Sequence, residues 1–158
     1  MSLRSLYGNI ILDHYKNPRN MGELPEADVV VEARNPLCGD ELTLYLKLDD
    51  NQRLAEVKFT GVGCAISQAS ASMMTVAVQG LPKEEAEELI QLFKQMVMGE
   101  AELDAEAEAR LGDLVSLEGV SQLHNRVKCA TLAWNALQEG LEEFARGGSR
   151  AELVEKAD

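Results

Sequence analysis

The sequence predicts an α+β domain: a three-stranded antiparallel sheet packed by helices on one side, with a metal site at one end of the sheet. Three observations lead there. Residues 42 to 48 and 55 to 59 alternate apolar and polar side chains, the period of a half-buried strand. From residue 65 onward the apolar residues recur instead at steps of three and four, the period of helices packed by one face. All three cysteines fall beside loops or near helix starts, where ligands from different elements can meet.

The first element is a helix. Leu3, Leu6, Tyr7, Ile10, Ile11 and His14 share one face, and Asn17-Pro18 ends it, because proline disfavours helical backbone in the residue before it. His14, near the end of that face, reads as a packing histidine or a cation at the helix terminus rather than as a metal ligand. A turn-rich run, Asn17 to Gly22, leads to the β-branched Val29-Val30-Val31, the first strand. Leu42, Leu44, Leu46 and Leu48 alternate with Thr43, Tyr45 and Lys47 in the second. Asp49 to Gln52 supplies turn residues, and Ala55, Val57 and Phe59 alternate with Glu56 and Lys58 in the third, so these two strands form an antiparallel hairpin.

Ala65 to Gln79 is a helix of small residues stopped by Gly80 and Pro82. Lys83 to Met98 carries Ala86, Leu89, Ile90, Phe93 and Val97 on one stripe, with glutamates in the first turns where the helix dipole favours anions. Gly99 ends it. Glu100 to Arg110, rich in Ala and Glu and bounded by Gly99 and Gly112, reads as an added surface helix or a mobile lobe, with a solvated charge run. From Ser121 the stripe Val127, Ala130, Trp134, Leu137, Leu141 and Phe144 marks the most regular amphipathic helix, closed by Gly147-Gly148. Residues 149–158 form a short charged tail, expected to be frayed or a weak final helical turn.

A chain of 158 residues with 46% hydrophobic content suits one domain. Lys and Arg total 15 against 27 Asp and Glu, a formal charge of -12 that argues against nucleic acid and anionic membranes as partners. No stretch reaches the roughly 20 apolar residues of a membrane span, and the amino terminus lacks the layout of a secretory signal, so a cytoplasmic location is expected. There, three cysteines point to metal binding or thiol chemistry rather than disulfides.

Cys38-Gly39-Asp40 precedes the second strand, and its glycine lets thiolate and carboxylate turn toward one point. Gly61-Val62-Gly63-Cys64 leaves the third strand for a helix whose positive end favours a thiolate. Cys129 lies early in the last helix, just off the apolar stripe, where Arg126 and Lys128 are expected to depress its pKa. Three thiolates and one carboxylate make a tetrahedral set suited to zinc, and equally would hold iron in a small iron–sulfur cluster. The carboxylate is the weaker, exchangeable position. The ligands lack the paired Cys-x-x-Cys knuckles of structural zinc sites.

These residues resemble the U-type iron–sulfur cluster assembly proteins, the IscU scaffolds and their SufU relatives. The resemblance runs from Leu6-Tyr7 and Ile11-Leu12-Asp13-His14-Tyr15-Lys16-Asn17-Pro18-Arg19-Asn20 through Asn35-Pro36-Leu37-Cys38-Gly39-Asp40 and Gly61-Val62-Gly63-Cys64-Ala65-Ile66-Ser67 to Cys129-Ala130-Thr131-Leu132-Ala133-Trp134. It implies one domain over 1–148 with an insertion at 100–119, working beside a SufS-type cysteine desulfurase and downstream iron–sulfur assembly proteins. Lys128 stands where IscU proteins place a histidine, and no Leu-Pro-Pro-Val-Lys chaperone motif precedes Cys129; both departures favour the SufU branch. By that resemblance zinc sits on Cys38, Asp40, Cys64 and Cys129. Cys38 accepts persulfide sulfur once a partner histidine replaces it on the metal, and Arg126 supports the site. The alternative within the family is a scaffold building a transient iron–sulfur cluster on the same four ligands; an alternative of another class is a non-catalytic interaction protein with structural zinc.

Overall fold

The computed structural model describes residues 3–100 and 103–155, with side chains from Gly8 onward. In chain order it has α1 (Leu3–Lys16), β1 (Val29–Asn35), β2 (Asp40–Leu48), β3 (Leu54–Val62), α2 (Ala65–Val78), α3 (Lys83–Val97), α4 (Ala105–Leu111), 3₁₀ turns over Gly112–Gln122 and His124–Arg126, α5 (Val127–Ala145) and β4 (Arg150–Val154). The expected apolar side chains of Leu3, Leu6 and Tyr7, and residues 101–102 of the expected Glu-rich helix, lie outside the described residues.

The sheet has four strands in the order β3-β2-β1-β4, not three. The hairpin β2–β3 and the β1–β2 pair are antiparallel as expected, but β4 adds to β1 in parallel, so the sheet is mixed. The segment expected to fray is held by Ala151 and Leu153, which alternate inward onto the core, and by bonds at both ends: Val30 N–H to Ser149 O (2.9 Å) and Glu155 N–H to Arg34 O (2.9 Å). Pairing there also covers a β1 edge that would otherwise present unbonded backbone groups. Two inward residues amid charge are too short a pattern to distinguish from a tail.

One face of the sheet is buried. Val29, Val31 and Ala33 of β1, Leu42, Leu44, Leu46 and Leu48 of β2, and Leu54, Val57 and Phe59 of β3 all point into the helical layer. Ala55, expected inward, is exposed and Leu54 is buried in its place, because the β2–β3 register shifts at Lys47/Leu48. α5 lies on this face with Trp134 at its centre. The indole stacks on Phe93 of α3 (centroids 4.3 Å apart), and its Nε1–H donates to Ser70 Oγ of α2 (3.1 Å), whose hydroxyl donates to Ala130 O (2.6 Å). The largest aromatic therefore buries no unpaired polar atom. Gly140 sits where a Cβ would come within 2.7 Å of Leu46 Cδ1 and 3.0 Å of Val31 Cγ2, so it sets how closely α5 seats on the sheet. The seating of α5 fixes where Cys129, in its first turn, meets the sheet end.

His14 proves to be a satisfied packing residue: it is buried, and its Nδ1 lies 2.8 Å from Ser72 Oγ, which also accepts Arg19 N–H. That second bond leaves the hydroxyl proton for His14 Nδ1. Burial lowers the His14 pKa from its ordinary 6.5, Arg19 adding to the effect and Asp13 and Asp113 opposing it. With the folded value depressed, the stabilising contribution is complete above pH 6.5 and is lost as pH falls below it, where the unfolded chain takes up a proton that the folded one refuses. His14→Gln is accordingly expected to flatten the fall of the urea midpoint between pH 7.5 and 5.5. Equal slopes in the two proteins would refute this account.

Candidate metal centre

β1 ends at Asn35 and β2 begins at Asp40, so the loop 36–39 is a hairpin connection with Cys38 near its tip. Gly39 adopts φ +72°, a left-handed conformation that glycine takes without penalty, and the turn brings the chain back at once into β2. Asp40 is 1% exposed although it carries a carboxylate. Its Oδ1 accepts the N–H of Cys64 (3.0 Å), which ties the start of β2 to the residue that caps α2. Ser67 Oγ donates to Cys64 O (3.0 Å) and closes the same junction. Gly63 makes that closeness possible: a Cβ there would lie 2.5 Å from Asp40 Oδ1 and would overlap Ser67 Oγ.

Cys129 enters from the third position of α5, which begins at Val127 rather than near Ser121. It is 1% exposed, within the buried stripe and not on its edge. Its Sγ lies 3.4 Å from Cys38 Sγ, and the donor atoms of Cys38, Asp40 and Cys129 all fall within 4.8 Å of one another. Cys38 is the exposed member, Cys129 the buried one, and Cys64 is half-buried beside them. The Cys64 sulfur contacts Cys129 and Arg126 without joining the three-residue group of mutually close donors. Of the four ligands anticipated from sequence, three thus already converge and the fourth stands at their rim.

The electrostatics ask for a cation. Burial pushes the Cys129 thiol well above its ordinary 9.0, and the Cys38 thiol, Cys64 and Asp40 push it further. The expectation that Arg126 and Lys128 would depress it is therefore overturned, because desolvation and neighbouring anionic groups outweigh them. Arg126 is exposed; the thiolate charge of Cys64, then hydrogen bonds to Cys129 and Cys64, raise its own pKa. Asp40 Oδ2 is buried and has no hydrogen-bond partner among the described residues. An orphaned carboxylate oxygen beside clustered sulfurs is a costly arrangement that a metal ion satisfies. Sulfur and oxygen donors in this number fit zinc, or iron in a small cluster.

Residues 6–150 match the family model described as the NifU-like N-terminal domain. The chain belongs to that family. It is 46% identical over 146 residues to the zinc-dependent sulfurtransferase SufU of Bacillus subtilis, covering 92% of this chain and 96% of that one. It is 42% identical over 143 residues to the iron–sulfur cluster assembly scaffold protein IscU of Streptococcus pyogenes, covering 90% and 87%. A crystal structure from Fervidobacterium islandicum, described as a putative SUF-system scaffold, superimposes with a TM-score of 0.78 at 36% identity, covering 89% of this chain and 99% of that one. The IscU/SufU resemblance read from the sequence therefore stands, with the greater identity of these two relatives on the SufU side.

Two site features were not singled out from sequence. Asn35 and Ser67 both hold the cysteine-bearing junctions by side-chain hydrogen bonds. An Asn just before a loop is a recognised turn signal and could have flagged the first; nothing marked the second within a Ser- and Ala-rich helix. Apolar Leu37, Val62 and Leu123 are exposed at 68%, 62% and 51%, each close in sequence to a site cysteine or Arg126. No helix among the described residues is long and apolar enough to cross a membrane.

Proposed function

We propose that this protein accepts persulfide sulfur from a SufS-type cysteine desulfurase on Cys38, at a zinc site formed by Cys38, Asp40, Cys64 and Cys129, and passes it to iron–sulfur assembly proteins in the cytoplasm. The observation that carries this reading is the convergence of Cys38, Asp40 and Cys129 donors within 4.8 Å, with Asp40 Oδ2 buried and without a hydrogen-bond partner among the described residues. Zinc, when bound, keeps its sulfur ligands deprotonated and shielded. Cys38, rather than the carboxylate expected from donor type, is the member that can leave: it is exposed, on a loop beside Gly39, whereas Cys129 is buried in a helix and Asp40 is anchored by Cys64 N–H. The freed Cys38 thiolate attacks the outer sulfur of the partner's persulfide. An S–S bond forms on Cys38, the partner's S–S bond breaks, and the partner cysteine leaves as a thiolate while the terminal SH moves across.

Arg126, exposed and bonded to the Cys64 and Cys129 sulfurs, balances negative charge at the mouth while sulfur is exchanged. The exposed Leu37, Val62 and Leu123 supply apolar area for the partner around that mouth. In this reading the one domain runs on past residue 148 through β4, which pairs with β1, and 100–119 is an insertion on it. The name of the B. subtilis relative supports the sulfurtransferase reading, and those of the IscU relatives support a scaffold on the same ligands.

The test is the rate of cysteine desulfuration by the cognate desulfurase with zinc-loaded and metal-stripped protein. Strong stimulation by the zinc form only, lost in Cys38→Ala with the fold intact, is the expected result. Stimulation by the stripped form that zinc suppresses, with iron and labile sulfide bound once both are supplied, would establish the scaffold instead. A Cys38→Ala protein that loses stability but still stimulates would leave only structural zinc.

A further inference from the structure

Asn35 has chemistry that neither its place in a loop motif nor the four-ligand reading uses. It is 1% exposed at the last position of β1, directly opposite Asp40 in the β1–β2 register, and both residues belong to the buried face. Directly opposed residues on one face of an antiparallel pair hold their Cβ atoms about 4.5–5.5 Å apart, within reach of short side chains. Asn35 Oδ1 accepts Leu37 N–H (3.1 Å), and Asn35 O accepts Gly39 N–H (3.0 Å). These bonds fold the loop that carries Cys38. They also fix which end of the amide is which, since a flipped group would set Nδ2 against another donor.

What remains is Asn35 Nδ2, a buried donor with no partner among the described residues; Asp40 Oδ2 is a buried acceptor with none. A complementary pair of orphans, opposite each other on one ladder, is costly to bury unless a further state uses them. Carboxylates that ligate metals are themselves hydrogen-bonded by outer groups that fix their orientation. We propose that Asn35 is a positioning residue for the metal site: its side-chain amide donates to the Asp40 carboxylate when Asp40 ligates the metal, while its oxygen keeps the Cys38 loop folded. One residue thereby couples the exchangeable thiolate to the oxygen ligand. The proposal rests on the reading of Asp40 as a ligand.

The test is zinc affinity by competition with a chromophoric chelator, for the whole chain, in a double-mutant cycle of Asn35→Ser with Asp40→Ala. Serine keeps an acceptor for Leu37 N–H but cannot reach across the ladder. Asn35→Ser is expected to lower zinc affinity roughly 10- to 100-fold, and to change it by less than about twofold when Asp40 is already alanine, as an effect transmitted through Asp40 requires. The charge-transfer and ligand-field bands of the cobalt-substituted protein should shift in Asn35→Ser, reporting altered ligation independently of activity. Asn35→Asp serves if the serine variant does not fold: it retains size and the Leu37 bond, and the expected loss of affinity runs against what an added anion alone would do.

An equal loss in both backgrounds would reduce Asn35 to loop folding and overturn the proposal, as would unchanged affinity and spectrum in Asn35→Ser, or tighter zinc binding in Asn35→Asp. An Asp40→Ala protein that binds zinc as tightly as the parent would instead sink the ligand reading itself, and the Asn35 proposal with it.

Discussion

Cys129→Ser is expected to weaken zinc binding by more than about 100-fold, beyond what loss of an outer-shell partner produces. The serine oxygen is a far poorer zinc donor than thiolate, and the position has no substitute, since Cys129 is the buried sulfur against which Cys38 rests at 3.4 Å. The same variant should change how affinity depends on pH. Burial and the surrounding thiols and carboxylate hold the metal-free Cys129 as a neutral thiol, so metal binding must expel its proton. Affinity therefore rises with pH in the parent, and the slope is expected to fall in Cys129→Ser by about one proton, a factor of about ten per pH unit. Chelator competition at pH 6.5, 7.5 and 8.5 measures both quantities. Unchanged affinity would remove Cys129 from the ligand set, and an unchanged slope would mean its thiol is already ionised. Metal-free Cys129→Ser should remain folded, because the core under α5 is carried by Trp134, Leu137 and Leu141 rather than by the sulfur.

What the sequence made legible follows from periodicity and punctuation. The β2–β3 hairpin was readable because four leucines alternate without interruption, and α3 because Ala86, Leu89, Ile90, Phe93 and Val97 keep to one stripe, all of them buried. β4 was not, since five residues with two inward side chains carry too little pattern and only the open edge of β1 gives them a partner. The start of α5 slipped because 3₁₀ turns over Gly112–Gln122 and His124–Arg126 lead straight into Val127, and no glycine or proline between Ser121 and Val127 marks where the tighter coil gives way to the α-helix. At the site, residue identity carried further than electrostatics. Cysteine and aspartate at element junctions marked which side chains to watch, but the Cys129 thiol shift depends on burial, which sequence neighbours such as Arg126 and Lys128 do not report. Asn35 escaped attention because its importance lies in being opposite Asp40, a relation created by strand register.

Gly63→Ala should be more damaging than its size suggests, and more damaging to metal binding than a change at Gly39. The new methyl would sit 2.5 Å from Asp40 Oδ1 and 3.1 Å from its Cγ, and would overlap Ser67 Oγ. None of these neighbours can yield cheaply. The carboxylate is buried and held by Cys64 N–H, and the serine hydroxyl is bonded to Cys64 O, so relief means either swinging Asp40 out or displacing the start of α2 with Cys64. Overpacking of this kind costs about 1–3 kcal/mol, and both escapes misplace a proposed ligand, so zinc affinity should fall by at least the 10- to 100-fold seen when ligand orientation is lost. Gly39 is the informative contrast: a Cβ there meets nothing within 4 Å, and only φ +72° restricts the residue. Asparagine tolerates that conformation better than other side chains. Gly39→Asn should therefore leave zinc affinity close to the parent although it adjoins both Cys38 and Asp40. Urea denaturation of the metal-free proteins with chelator competition on the same samples separates the two terms. If Gly63→Ala binds zinc like the parent, Asp40 is free to reorient, and the hold of Cys64 N–H on its carboxylate is not what presents the oxygen to the metal.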